Sequence, residues 1–202
     1  MLVVKDLVYQ EIPELPKFTF NYEFESGKTY MIRGESYSGK SILLQCIGAF
    51  LSPMSGSVTY NDKELIGIPA SKLPLTLTFQ QENLFPKLDP YMNIAAGIST
   101  SIEMTEEIRS FIKYTISYLQ IDVESLLRKR EQKIVVARAA ARAKYLDKKL
   151  ILLDEPFLDM RRSEMNKCKE LLNEFSDIIL INTHSTYSPN NCEDIDIEEI
   201  VK

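Results

Sequence analysis

The segment Gly34-Glu35-Ser36-Tyr37-Ser38-Gly39-Lys40-Ser41 has the spacing GxxxxGK[ST]. Glycines there let a loop turn so tightly that successive backbone N–H groups point inward. Such a loop, with the N-terminus of the helix that follows it, surrounds phosphates. Lys40 then reaches the β and γ phosphates of a nucleotide, and Ser41 offers a hydroxyl to Mg2+. All eight residues from Gly34 to Ser41 are candidate nucleotide contacts. A second group is Ile151-Leu152-Leu153-Asp154-Glu155-Pro156. An apolar strand there delivers Asp154 to its C-terminal end, where it holds Mg2+ through water, and sets Glu155 to orient or deprotonate an attacking water. Alone, an apolar run that stops at Asp-Glu is a common strand end. Paired with the phosphate loop it becomes the other half of a site that transfers a phosphoryl group from ATP to water.

Both groups need strands to carry them. Residues 2–9, 17–24, 28–33 and 56–60 are enriched in Val, Thr, Tyr and Phe and predict strands. Residues 40–51 place Leu43, Leu44, Ile47 and Leu51 at helical spacing, so the phosphate loop lies between a strand and a helix. Residues 75–79 predict a strand leading into a polar loop with Pro86 and Pro90. Over 105–120, Ile108, Phe111, Ile112, Ile116 and Leu119 share one helical face. The Ala-rich stretch 131–145 predicts a long helix, 150–153 a buried parallel strand, 163–175 a helix and 178–181 another strand. The acidic, Ile-containing end from Cys192 to Lys202 reads as a terminal strand or a frayed tail. Strand–helix–strand order implies an α/β fold with right-handed crossovers around a mainly parallel sheet.

A chain of 202 residues with 45% hydrophobic and 26% charged residues is sized for one globular domain. Its net charge of -5 argues against a general nucleic-acid surface, which needs basic residues to replace counterions. Cys46, Cys168 and Cys192 lack CxxC spacing and suit a reducing compartment. The longest uncharged run, Ser41 to Asn61, contains Pro53, Gly56 and many hydroxyls, so no membrane span is expected. The N-terminus carries no pattern of a secretory signal. Any attachment to a membrane is expected to come through a partner.

Further segments fall in the order of the ATP-binding cassette (ABC) ATPases, which the chain resembles along nearly its whole length. Phe79-Gln80-Gln81-Glu82-Asn83-Leu84-Phe85-Pro86 is similar to the family's Q-loop, and Ile181-Asn182-Thr183-His184 to its switch region. The resemblance implies that Gln80, in preference to Gln81, contacts Mg2+ and links the site to a transmembrane partner. It gives His184 the γ phosphate and Glu155 the attacking water. Glu25-Ser26-Gly27-Lys28 and Ser52-Pro53-Met54-Ser55-Gly56-Ser57 resemble turns that carry fold rather than catalysis. The implied fold is a P-loop NTPase: a mainly parallel core with an N-terminal antiparallel β subdomain and an inserted helical subdomain. Within one domain over 1–202, the core takes 1–81 and 131–202 and the helical subdomain 82–130. The implied cofactors are ATP and Mg2+. The implied partners are a transmembrane permease subunit and a second ABC ATPase subunit, in a homo- or heterodimer, at the cytoplasmic face of the membrane. Phe85 and Tyr91 are where the permease would dock, unless both rings pack inside the subdomain.

The chain departs from the family in places. Leu126-Leu127-Arg128-Lys129-Arg130 stands where the family has its LSGGQ signature, without the serine or either glycine. In the family each signature completes the partner's site, so this chain's own phosphate loop can still be completed by a partner with an intact signature. Tyr37 replaces a usual glycine, Ile42 a common threonine, and the stretch from Asp154 to Asp159 is two residues short. Tyr9 is a candidate to stack on adenine, although Glu11 sits at the more usual offset. Two readings stay open: an ATP-hydrolysing transport subunit, or an ATP-binding regulatory partner that hydrolyses little.

Overall fold

The apolar runs read from the sequence become strands buried on both faces. The computed structural model describes residues 1–80, 84–98, 104–122 and 128–201, the side chains of 128–130 excepted. In chain order its strands and α-helices are β1 (Leu2–Tyr9), β2 (Phe18–Phe24), β3 (Thr29–Arg33), α1 (Lys40–Ile47), β4 (Ser55–Tyr60), β5 (Lys63–Glu64), β6 (Leu75–Thr78), α2 (Pro90–Ala95), α3 (Glu106–Tyr118), α4 (Arg128–Leu146), β7 (Leu150–Asp154), α5 (Arg162–Asn173), β8 (Ile178–Asn182), β9 (Glu193–Asp196) and α6 (Ile197–Ile200). One sheet, in the order β2-β1-β4-β5, is antiparallel. The other, in the order β6-β7-β8-β3-β9, is parallel at every pairing.

Alternation along the parallel strands divides the core in two. Tyr30, Ile32, Leu150, Leu152, Ile178 and Leu180 meet α1 and the antiparallel sheet. Met31, Ile151, Leu153, Ile179 and Ile181 meet α3, α4 and α5. A parallel sheet covered on both faces needs such unbroken apolar strands, because neither face meets water. Among the described residues no helix is long and apolar enough to cross a membrane.

Several elements differ from expectation for local reasons. α1 stops at Ile47, four residues early, because Gly48 caps it and Ala49 takes a left-handed φ of 59°. The expected polar loop contains α2, started by the Asp89 side chain accepting from Met92 N–H, with Pro90 in the first turn. α4 begins at Arg128, three residues before the predicted start. The C-terminal segment is a strand followed by one helical turn, with Ile195, Ile197 and Ile200 buried.

Leu180 is fully buried at the centre of the sheet. Leu180→Ala is expected to lower unfolding free energy by about 2–5 kcal/mol, whereas Met54→Ala, at a 65%-exposed side chain, should stay within about 0.5 kcal/mol. Urea denaturation of the two variants checks the contrast.

Candidate active site

β3 is buried until Arg33, after which the chain leaves the sheet at Gly34 and turns into α1. Gly34 has φ +148°, and a Cβ there would lie 2.4 Å from Ile197 Cγ2 of α6. Gly39, at φ +97°, would meet the Phe18 ring at 2.8 Å. Both positions need glycine for conformation and for space. Tyr37 also adopts a left-handed φ, 65°, but its side chain is 98% exposed. The loop therefore keeps the backbone that glycine would give, at a strain cost of roughly 1–2 kcal/mol. Gly39 caps α1 without any side-chain bond, which leaves the first-turn N–H groups of α1 free of a capping side chain.

Lys40 is buried and folds back over this loop. Its Nζ donates to Gly34 O at 2.8 Å, Glu35 O at 2.6 Å and Ser38 Oγ at 3.3 Å, while the Ser38 hydroxyl donates to Glu35 O at 2.7 Å. Burial lowers its pKa, opposed by the charges of Glu155, Asp154 and Asp196. Ser41 follows, half-buried in the first turn of α1.

Asp154 ends β7 and is paired in register with Asn182, the last residue of β8. Glu155 is the next residue, and its N–H donates to Asn182 O at 3.0 Å. Glu155 holds a left-handed φ of 50°, a strained backbone for a residue with a side chain. Its carboxylate accepts from His184 N–H at 2.7 Å and from the Thr183 hydroxyl at 3.3 Å. The His184 Nε2 lies 3.7 Å from Glu155 Oε1, and the ring is 48% exposed. Burial raises the Glu155 pKa above the usual 4.5, against the lowering effects of His184 and the two hydrogen bonds. A cavity of about 280 Å3 joins the two halves, lined by Arg33, Gly34, Thr183, His184, Ser185 and Thr186.

The remaining candidates divide. Gln80 is exposed two residues beyond β6, at the same end of the sheet as Asp154. Asp159 is exposed at φ 61°. Tyr9 is half-buried at the end of β1, opposite Phe18, and Phe18 is the ring that abuts the phosphate loop. Phe85 is 53% exposed with the Arg138 guanidinium 5.4 Å from its ring centre, whereas Tyr91 packs partly into the helical core. Gln81, Leu126 and Leu127 lie outside the described residues, as do the side chains of Arg128, Lys129 and Arg130.

Sequence reasoning singled out neither Thr183, Asn182 nor Asp196 as a site residue. The first two stand where an apolar run turns polar, a usable signal; Asp196 reaches Lys40 only through the distant pairing of β9 with β3. Asn182 is fully buried, and among the described residues neither amide atom has a hydrogen-bond partner. An amide left in that state costs about 1–3 kcal/mol.

A parallel sheet that gathers a phosphate loop, two carboxylates and a histidine at one rim is the architecture of P-loop nucleoside triphosphatases. A family model described as ABC transporter matches residues 18–158. The thiamine import ATP-binding protein ThiQ of Aliivibrio fischeri is 31% identical over 193 residues, 92% of this chain and 81% of that protein. ThiQ of Haemophilus influenzae (strain 86-028NP) is 35% identical over 68% of this chain and 65% of its own. In fold, the chain is similar to an ATP-binding cassette in a dimeric post-hydrolysis state bound to ADP and Pi, with TM-score 0.74 at 22% identity over 92% of this chain and 88% of that one. It is also similar to cbiO1 of Clostridium perfringens, part of the transporter complex cbiONQ, with TM-score 0.72 at 21% identity over 91% and 78%. The chain belongs to the ABC transporter ATP-binding family. It is an ATP-binding, ATP-hydrolysing subunit that powers transport.

With its folded pKa raised, Glu155 binds a proton more tightly when folded than when unfolded, so its charge weakens the fold near neutral pH. Glu155→Gln is expected to melt above wild type at neutral pH. The gap should close as pH falls through the raised value and below 4.5, where both states hold the proton. Thermal melts followed by circular dichroism across that range check this.

Proposed function

We propose that the chain binds Mg-ATP between its phosphate loop and Asp154 and hydrolyses it with Glu155 as general base, driving a permease from the cytoplasmic face of the membrane. The observation that carries this reading is the Glu155 carboxylate, buried, hydrogen-bonded to His184 N–H and Thr183, and within electrostatic reach of Lys40. Ser41, Asp154 and Gln80 are hard oxygen donors, and no group of three or more His, Cys, Asp or Glu that could hold a metal occurs among the described residues. That set fits an ion that arrives with phosphates and keeps part of its water shell, as Mg2+ does. Bound there, Mg2+ supplies charge neutralisation at the β and γ phosphates.

The protein groups have separate tasks. Lys40 exchanges the carbonyls of Gly34 and Glu35 for phosphate oxygens, beside the N–H groups of residues 34–41. Glu155, its basicity increased by burial, takes the proton of the attacking water. His184, half-exposed at the cavity, meets the γ phosphate. We assign residues 1–81 and 131–202 to the nucleotide-binding core and 82–130 to a helical insertion.

Two such cassettes close head to tail on ATP. Arg128 and Lys129 cannot allow the close backbone approach of glycine, so we assign the completing signature to a second, non-identical subunit. The permease docks at a groove of about 330 Å3 whose lining includes Phe50, Thr78, Val135, Arg138 and Arg142, beside the exposed Phe85. The strained Tyr37 favours a second reading, a regulatory subunit that binds ATP and turns it over little.

ATP binding and Mg-ATP hydrolysis by the purified chain, wild type against Glu155→Gln, separate these readings. Loss of roughly 100- to 10,000-fold in turnover with binding retained supports Glu155 as general base. Binding without turnover in the wild type points to an obligatory partner or the regulatory role.

A further inference from the structure

The side chain of Asn182 continues the face of β8 occupied by Ile178 and Leu180, the face covered by α1. Asp154 continues the matching face of β7, after Leu150 and Leu152. Because the two residues are register partners on neighbouring parallel strands, their backbones lie about 5 Å apart and their side chains leave the sheet side by side. On its other flank Asn182 pairs with Ile32, two residues before the phosphate loop begins. Asn182 thus stands between the strand that launches the loop and the strand that carries Asp154. It is fully buried there, with neither amide atom bonded among the described residues. A strand this apolar offers valine or isoleucine at no such penalty, so an amide at this point calls for a polar partner that the described residues do not supply.

We propose that Asn182 is a positioning residue for the hydrated Mg2+ of the nucleotide: its amide hydrogen-bonds the water shell of the ion alongside Asp154 and is satisfied when Mg-ATP binds. The proposal rests on the assignment of Asp154 to Mg2+. Its backbone carbonyl already fixes the Glu155 N–H, so one residue ties the ion side of the site to the carboxylate that faces the attacking water.

Two substitutions that are near-isosteric with each other separate the hydrogen bond from the space it fills. Asn182→Val removes all polar capacity, and Asn182→Thr keeps a hydroxyl in nearly the same volume. ATP binding is titrated calorimetrically over a Mg2+ series and in EDTA, and the nucleotide-free proteins are melted. In Asn182→Val the Mg2+ concentration for half-maximal enhancement of ATP binding is expected to rise about fivefold. Affinity in EDTA should not change, and the nucleotide-free protein should melt at or above wild type. Asn182→Thr should stay within about twofold of wild type in Mg2+ dependence. Wild-type Mg2+ dependence in Asn182→Val overturns the proposal, as do equal displacements in the two variants. An Asn182→Val protein that melts lower without nucleotide, or does not fold, also overturns it, by revealing an amide that the fold itself uses. Asp154→Ala is the control for the underlying assignment: if it leaves the Mg2+ dependence untouched, that assignment fails first and the role of Asn182 with it.

Discussion

A parallel strand buried on both faces carries a polar side chain only at a cost unless that side chain is paired, and in β7 and β8 this constraint decides where the site can form. Every residue of β7 and of β8 is buried, and in each the first polar side chain is the last residue: Asp154 in one, Asn182 in the other. The chemistry must therefore collect at a single rim. Glu155, Thr183 and His184 are the residues that immediately follow, and the loop from Gly34 leaves the neighbouring strand at the same end. The cross-strand bond from Glu155 N–H to Asn182 O fastens this group before any side chain is considered.

Glu155 and Tyr37 both bear side chains on left-handed backbones, with different compensation. Glu155 is over-determined, its N–H held by Asn182 and its carboxylate by two further donors, so the strain keeps the acid in one orientation. Among the described residues Tyr37 has no comparable support: its ring stands in solvent and its left-handed backbone is inherited from the shape of the loop. The family's usual glycine would adopt it freely. The phosphate loop is consequently built on the expected path with a less comfortable residue.

The phosphate loop was legible in the sequence because its spacing is its mechanism: glycines, lysine and serine must occur in that order to make the cradle. The strand ending at Asp154 was legible because four consecutive apolar residues between a charged turn and two acids leave few alternatives. What escaped depends on partners far away in sequence. Nothing near Asp196 announces that β9 will pair with β3, and nothing near Asn182 says that its amide will be left unbonded. The early end of α1 and the start of α2 were local signals passed over, Gly48 in one case and Asp89-Pro90 in the other.

The strand that launches the phosphate loop has both neighbours from the far end of the chain: Thr29 of β3 pairs with Ile179, and Tyr30 with Glu193. During synthesis β3 emerges well before β8 and β9, and its sheet hydrogen bonds wait until those strands have left the ribosome. Closing contacts of that span is slow compared with forming the helices between them. The loop that leaves β3 is thus encoded before the strands that hold it in place, and in the interval β3 is an unpaired strand open to aggregation.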